Sequence, residues 1–378
     1  MKLRLFLFLA AISIVLSAGT PVETARRPRY GGTLRVEIGA VVNSLDPAVS
    51  AANPQETAAK NEIALLLYDH RNPDGSFAGV AGSGPFRIAE WEPGKRAVLA
   101  ANENYRGGRP FVDSVEIQMG RAAQDRILDL DVDKTDIADI PAEEARHASD
   151  RGLRVSTSQP DELVAIVFVA GRPMAEDAHA REALARSIDK AAIVNFILQR
   201  QGEPARGLLP QWSSGTAFLF PAIADPAAAK QLWSQVPGSP NVALGYDPAD
   251  SLGQAIAERL AVNARDAGIT LTANAAAGSD DARLMRARMP SPHARDAILN
   301  FVASWGPVAA LDTAPLPAAA SPEQIYQRER TIVSSYRVVP VVWLPQVYGL
   351  GARVRDWKAP GPGEGWPFAD VWLDQGSQ

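Results

Sequence analysis

The sequence predicts a mixed α/β protein of two lobes joined by paired crossovers. Three observations carry that expectation. Apolar and polar residues alternate with period two in Leu34-Arg35-Val36-Glu37-Ile38 and around Val115, Ile117 and Met119, the mark of half-buried strands. A strand through Val242, Leu244 and Tyr246, a capped helix, and a strand opening on Ile269 and Leu271 have the order and length of a right-handed parallel βαβ unit. Two further runs, Val164–Val169 and Val338–Leu344, are too apolar for exposed linkers and read as buried strands that carry the chain between lobes. One lobe is thereby expected at residues 19–163 and 340–378, the other at 164–339.

Composition narrows the function classes. A chain of 378 residues suits two domains or one large one, and 46% hydrophobic residues supply a core. The formal net charge of −5 argues against a nucleic-acid partner, which needs a basic face. With 0 cysteines there is no disulfide, cysteine-bound zinc, iron–sulfur cluster or thiol nucleophile. The N-terminus has the pattern of an export signal. Lys2 and Arg4 precede an apolar stretch, Leu5–Leu16, broken only by Ser13, and Leu16-Ser17-Ala18 offers small residues before Gly19. That stretch is short of the ~20 residues of a bilayer span. Cleavage after Ala18 is the expectation and a retained anchor the alternative; loss of Lys2 and Arg4 would move the charge from −5 to −7.

In chain order, a basic linker, Arg26-Arg27-Pro28-Arg29, leads to Tyr30-Gly31-Gly32-Thr33 and the first strand. Asn43-Ser44-Leu45-Asp46-Pro47 is a turn-rich loop. A helix starts near Pro54 and ends in the apolar run Ile63–Tyr68; Asn72-Pro73-Asp74-Gly75 reads as a turn. Gly82-Ser83-Gly84-Pro85-Phe86 interrupts the chain before a strand through Ile88. Pro93-Gly94 then turns it back, with proline's fixed φ followed by glycine's positive φ, into a strand through Val98 and Leu99. Asn102-Glu103-Asn104-Tyr105-Arg106-Gly107-Gly108-Arg109-Pro110 and Asp136-Ile137-Ala138-Asp139-Ile140-Pro141 flank the strand at Val115–Met119.

In the second half, Asp177 caps a helix through Leu184 and Ile188, and Asp189 a second one through Ala192 and Phe196. A loop with Gly202, Pro204, Gly207 and Pro210 follows. Asp250 or Ser251 caps the helix of the βαβ unit, whose apolar face is Leu252, Ile256, Leu260 and Ala264, and Gly268 stops it. Ala297–Ala303 reads as a further strand with Trp305-Gly306 at its end. Ala314–Ala320 is a biased loop. Ser321-Pro322-Glu323-Gln324 has the capping-box pattern and starts a helix to about Tyr336.

These segments resemble, in order, the family 5 extracellular solute-binding proteins, the dipeptide-, oligopeptide- and nickel-binding components of ABC importers. Gly82-Ser83-Gly84-Pro85-Phe86 is similar to the family's Gly-Thr-Gly-Pro-Phe signature. Gly31-Gly32-Thr33-Leu34 with Leu45-Asp46-Pro47, the Asn102–Pro110 segment, Asp136-Ile137-Ala138, and Arg181–Val194 match further family stretches, so the likeness runs from Tyr30 to Leu373. The resemblance implies a two-lobed periplasmic-binding-protein-like fold of class II type, with hinge crossovers. It implies a monomer, without cofactor or catalysis, that captures a peptide-like or other small solute between the lobes and delivers it to an inner-membrane ABC permease. The absence of a cysteine to lipidate places such a protein free in the periplasm. Two departures stand out. Only 13 residues separate Tyr68 from Gly82, where the family inserts a subdomain, and the second lobe is short after Trp305. The trimming motivates an alternative: a reduced relative serving as a periplasmic interaction or sensing protein.

Four residues are candidates for ligand contact on that resemblance. Trp305 corresponds to a cleft tryptophan of peptide-binding relatives, but the third residue after it is Val308, which cannot pair with an α-amine as their aspartate does; Asp312 stands four residues further on. Packing in the core is the other role open to Trp305. Asn43 and Ser44 lie in the loop beside the relatives' cleft, or serve only their own turn. Trp212 could stack on a ligand or cover a lobe edge. A catalytic reading finds little. His70, His147, His179 and His293 have no metal-ligand spacing, the i, i+4 pair Glu143 and His147 suits a solvated helix face, and Ser83 lacks a nucleophile-elbow context.

Overall fold

The computed structural model describes residues 27–46, 49–68, 70–71, 77–78, 82–214, 223–238, 240–275 and 278–374. The export segment and the Asn72–Gly75 turn lie outside them. No helix among the described residues is long and apolar enough to cross a membrane.

Two sheets organise the chain. The first has seven strands in the order Phe86–Glu92, Arg96–Ala101, Ser114–Gln118, Thr33–Glu37, Ile137–Asp139, Val347–Leu350 and Arg154–Thr157. The second has six, in the order Glu203–Pro204, Val338–Leu344, Glu162–Phe168, Ala282–Arg288, Val242–Tyr246 and Leu271–Ala275. Thr33–Glu37 runs parallel to both its neighbours in the middle of the first sheet, with antiparallel pairs on either side, and Val242–Tyr246 runs parallel to both of its own near one edge of the second, whose other pairs are antiparallel. Leu34 and Val36 point into the first lobe's core as their alternation requires; Glu37, on the face expected to be polar, is buried as well. The βαβ unit forms with the helix Ser251–Asp266 between its strands, and Asp250 caps that helix by accepting from Gly253 N at 3.0 Å. Asp177 caps Ala178–Ser187, and Ser321 with Gln324 forms both halves of a capping box on Pro322–Ser334. Asp189 caps a short turn, Lys190–Ala192, that widens into a π turn over Ile193–Ile197 and leaves Phe196 exposed.

The apolar runs Glu162–Phe168 and Val338–Leu344 pair with each other in the middle of the second sheet, and every residue of both is buried. Their pairing continues to Leu344 opposite Glu162. The chain therefore passes between the sheets at residues 158–161 and 345–346, the second passage five residues beyond the boundary at 340 expected from the sequence. One expected strand is a helix: Ala294–Ala309 replaces the strand at Ala297–Ala303. Its buried residues Ala297, Ile298, Phe301, Val302, Trp305 and Ala309 recur with the helical period, which a short apolar run conceals.

The hairpin behind the Gly-Pro-Phe stretch turns at Pro93-Gly94, where Lys95 N donates to Glu92 O at 3.0 Å and Gly94 has φ +70°. Gly84 is needed for a different reason. A Cβ there would stand 2.7 Å from the carbonyl oxygen of Leu66 and from the carbonyl carbon of Leu67, at the end of the helix Pro54–Leu67. Asn102 holds the same loop from the other side, its Nδ2 donating to Gly82 O at 3.1 Å and Gly84 O at 2.8 Å. Helix end, glycine loop and hairpin thus lock together. Asn102→Ala should lower the unfolding free energy by about 1–3 kcal/mol, since it strands two carbonyls at a buried site. Gly84→Ala should destabilise too, because backbone rather than a flexible side chain blocks the new methyl. Denaturant melts showing both variants within error of the parent would contradict this packing.

Candidate interlobe ligand cleft

Gln346 ties the second passage to the first, beside a backbone bond from Asp161 N to Leu344 O at 3.0 Å. Ser158 N donates to Gln346 O at 2.9 Å, Gln346 N donates to Ser158 Oγ at 2.9 Å, and Gln346 Nε2 donates to Asp161 Oδ2 at 2.8 Å. Gln346 Oε1 accepts from Tyr348 Oη at 2.7 Å, and Tyr348 Oη accepts from Trp366 Nε1 at 3.1 Å. On the far side Asp161 O accepts from Met289 N at 2.8 Å. The line from Trp366 to Asp161 is buried throughout. It runs from the first lobe through both passages into the second.

Against this hinge lies a cavity of about 510 Å³. It opens beyond the carboxyl ends of parallel strands in both sheets, the place where open α/β sheets bind ligands. Ile38–Val41 line it after Thr33–Glu37, Asp139–Glu143 after Ile137–Asp139, and Asp247 to Leu252 after Val242–Tyr246. Arg286 and Arg288 enter at the end of Ala282–Arg288, and Gln346, Tyr348 and Trp366 form the hinge wall.

Its walls are strongly charged. Arg126 donates from Nε to the carbonyl of Asp139 at 2.9 Å and pairs with its carboxylate at the same distance. Arg286 is shared by two carboxylates, with Nη2 on Glu162 Oε2 at 2.5 Å and Nη1 on Asp250 at 3.0 and 3.1 Å. Burial works against the Glu162 charge, yet Arg286 and Arg288 hold its carboxyl below the usual range. Arg288 stands 3.9 Å from Asp161, where burial outweighs that arginine and Gln346 and lifts the carboxyl to about 6. Burial also raises Asp139 and Glu143. Behind the wall, burial and the neighbouring Asp129 raise Glu37 to about 7 against the pull of Arg121.

None of the four sequence candidates lines this cavity. Trp305 is 1% exposed, inside a helix rather than at a strand end, and stacks on Phe301 at 5.0 Å between ring centroids. Asn43 donates to Glu56 from its backbone at 3.0 Å and its amide at 3.3 Å, and Ser44 Oγ accepts from Asp46 N at 3.1 Å. Trp212 is half-buried and donates from Nε1 to Pro160 O at 2.8 Å, which ties it to the first passage. Val308 packs at the edge of the second lobe's core, and Asp312 pairs with Arg328 outside the cleft. Sequence reasoning missed Arg286, Arg288, Glu143 and Gln346. A signal existed for two of them, since Arg283, Arg286 and Arg288 crowd one strand of a βαβ lobe. Among the described residues no three histidine or carboxylate side chains gather as metal ligands.

The described family of bacterial extracellular solute-binding proteins, family 5 (middle region), matches residues 41–316. The oligopeptide-binding protein AppA of Bacillus subtilis is 30% identical over 125 residues, 33% of this chain and 23% of its own length. Heme-binding protein A of Haemophilus influenzae is 28% identical over 165 residues, 42% of this chain and 30% of its own length. The aligned segments thus span about a third or less of these relatives. In overall shape the chain is similar to the periplasmic binding protein DppA of Helicobacter pylori in complex with the peptide STSA, with a TM-score of 0.72 over 92% of this chain and 99% of that one. At 12% identity this is a likeness of fold.

One consequence of the buried carboxylates is measurable. Between its ordinary value of 4.5 and about 7, Glu37 keeps a proton in the folded protein that the unfolded chain has released. Stability should therefore fall as pH rises through that window. Glu37→Gln removes this loss, so the variant should gain on the parent in denaturant titrations between roughly pH 5 and pH 8. A stability difference that stays constant over that range would contradict the assignment.

Proposed function

We propose, from the premise that this chain belongs to family 5 of the bacterial extracellular solute-binding proteins, that it captures a small solute between its lobes and presents it to an inner-membrane ABC permease. The observation that carries this is the 510 Å³ cavity beyond the strand ends of both sheets, directly on the tied hinge. A cavity of that size holds a small molecule or short peptide. Two adjacent passages tied together through Gln346 form a hinge about which the lobes rotate while the cavity shuts. The role requires no chemistry from the protein: the charged groups bind and orient, and the energy for transport comes from the permease's ATPase partner. Export to the periplasm by the Lys2–Ala18 segment, in the monomeric state, completes the reading.

The 13-residue connection between Tyr68 and Gly82 supports a second reading, a periplasmic interaction or sensing protein that keeps the fold without the transport. The two differ in partner. A permease bound by the protein favours the first; co-purification with a non-transport protein favours the second.

A panel of short peptides, sugars and metal chelates, screened by thermal melting, tests solute capture. At a ligand concentration one hundred times Kd the stabilisation is about 2.7 kcal/mol, so at least one compound should raise Tm by several degrees. Native mass spectrometry should find that compound bound one to one. A panel in which none shifts Tm would count against solute capture.

A further inference from the structure

Resting on the reading that the lobes close about the Gln346 hinge, we propose that the turn at residues 361–364 of the first lobe is the stop that sets how far they close. It seats on Pro290 and Ser291 of the second lobe. A Cβ added to Gly363 would run into the carbonyl oxygen of Pro290 and stand 3.2 Å from Ser291 Cα and 3.3 Å from the carbonyl carbon of Pro290. The two sides belong to different lobes. Pro290 follows the strand Ala282–Arg288 of the second sheet, whereas the turn lies in the tail whose Trp366, Phe368, Val371 and Leu373 pack in the first lobe's core.

Both sides of the seat are held firmly. On the first lobe the turn is closed twice, Glu364 N donating to Gly361 O at 3.0 Å and Gly361 N to Glu364 Oε2 at 2.8 Å. Gly365 then lies so close to the helix Pro54–Leu67 that a Cβ would be 2.9 Å from Leu65 Cβ. Trp366 N donates to Glu62 Oε2 of that helix at 3.0 Å, and its ring packs on Phe368 at 5.3 Å between centroids. On the second lobe Met289 is buried and its N donates to Asp161 O at 2.8 Å. Ser291 Oγ donates to Asp296 Oδ2 at 2.8 Å and accepts from His293 N at 3.2 Å, which fixes it to the start of the helix Ala294–Ala309.

The seat lies on the cavity side of the passages. Trp366, three residues after Gly363, and Arg288, two before Pro290, both line the cavity. The helix Pro54–Leu67, which carries Glu62 to the cavity, also approaches the strand Ala282–Arg288. Closing further would drive backbone into backbone, and packed backbone does not compress as a flexible side chain yields. The turn thus limits the space that the closed lobes leave for a solute. A methyl at Gly363 needs roughly 1 Å more room before it stands at ordinary contact distance from the carbonyl. Because the seat is beside the hinge, that displacement grows toward the lobe edges. Gly363 also has φ +77°, which by itself favours glycine, so a test has to separate strain from wedging.

The test compares variants of the full mature protein, each spin-labelled at cysteines replacing exposed Arg87 and Arg265, by pulsed-resonance distance measurement without ligand. Gly363→Ala should displace the distance distribution. Gly152→Ala, at a first-lobe glycine with φ +86° and nothing within 4 Å of its Cβ position, carries the same backbone strain and should leave the distribution at the parent's. Glu364→Ala, at an exposed residue, frees Gly361 N and loosens the turn; it should melt close to the parent yet broaden the distribution. Should Gly363→Ala not fold, Glu364→Ala decides alone. Distributions that coincide for Gly363→Ala and Gly152→Ala, or no broadening in Glu364→Ala, would overturn the stop. Neither failure touches solute capture, which the melting screen decides on its own.

Discussion

The structure turns on the fastening of its two interlobe passages by Gln346. A glutamine suits that place because its amide offers a donor and an acceptor at once. The donor goes to Asp161 on the first passage and the acceptor takes Tyr348 of the first lobe, while the backbone of Gln346 exchanges two bonds with Ser158. All of this is buried, where a lost partner costs more than a formed bond contributes. The passages must therefore move as a unit. The residues that line the cavity come from the strand ends on either side of that unit.

Electrostatics add a second constraint. Asp161, Glu37, Asp139 and Glu143 are carboxyls near the hinge and cavity that burial pushes upward, while Glu329, raised to about 7 in the same way, lies in the second lobe against the amides of Leu208 and Leu209. Perturbed groups gathered at a cleft mark a binding site more often than a structural accident. The chain belongs to family 5 of the bacterial extracellular solute-binding proteins, and its cavity is lined by charges of both signs.

The landmarks that made the fold legible in the sequence are those with local causes. Gly84 has to be glycine because helix backbone blocks a Cβ, Pro93-Gly94 because the turn needs those φ values, and Asp177, Asp250 and Ser321 because helix amides need acceptors. Ala294–Ala309 was misread because seven residues of an apolar helix look like a buried strand, and with that strand went the placement of Trp305 at its end. The site was illegible for a deeper reason. Glu143, Asp247, Arg286 and Gln346 are far apart in sequence and meet only when the two sheets are brought together. No local pattern announces such a meeting, although three arginines on one strand hinted at it.

The central claim is that the lobes rotate about the Gln346 fastening to enclose a ligand. With 0 native cysteines, cysteines substituted for exposed Arg87 in the first lobe and Arg265 in the second can be spin-labelled without background. The pulsed-resonance distance distribution between the labels should shift when a ligand that raises Tm is added. It should broaden when Gln346→Ala loosens the hinge. A ligand that binds tightly yet leaves the distribution unchanged would contradict the account.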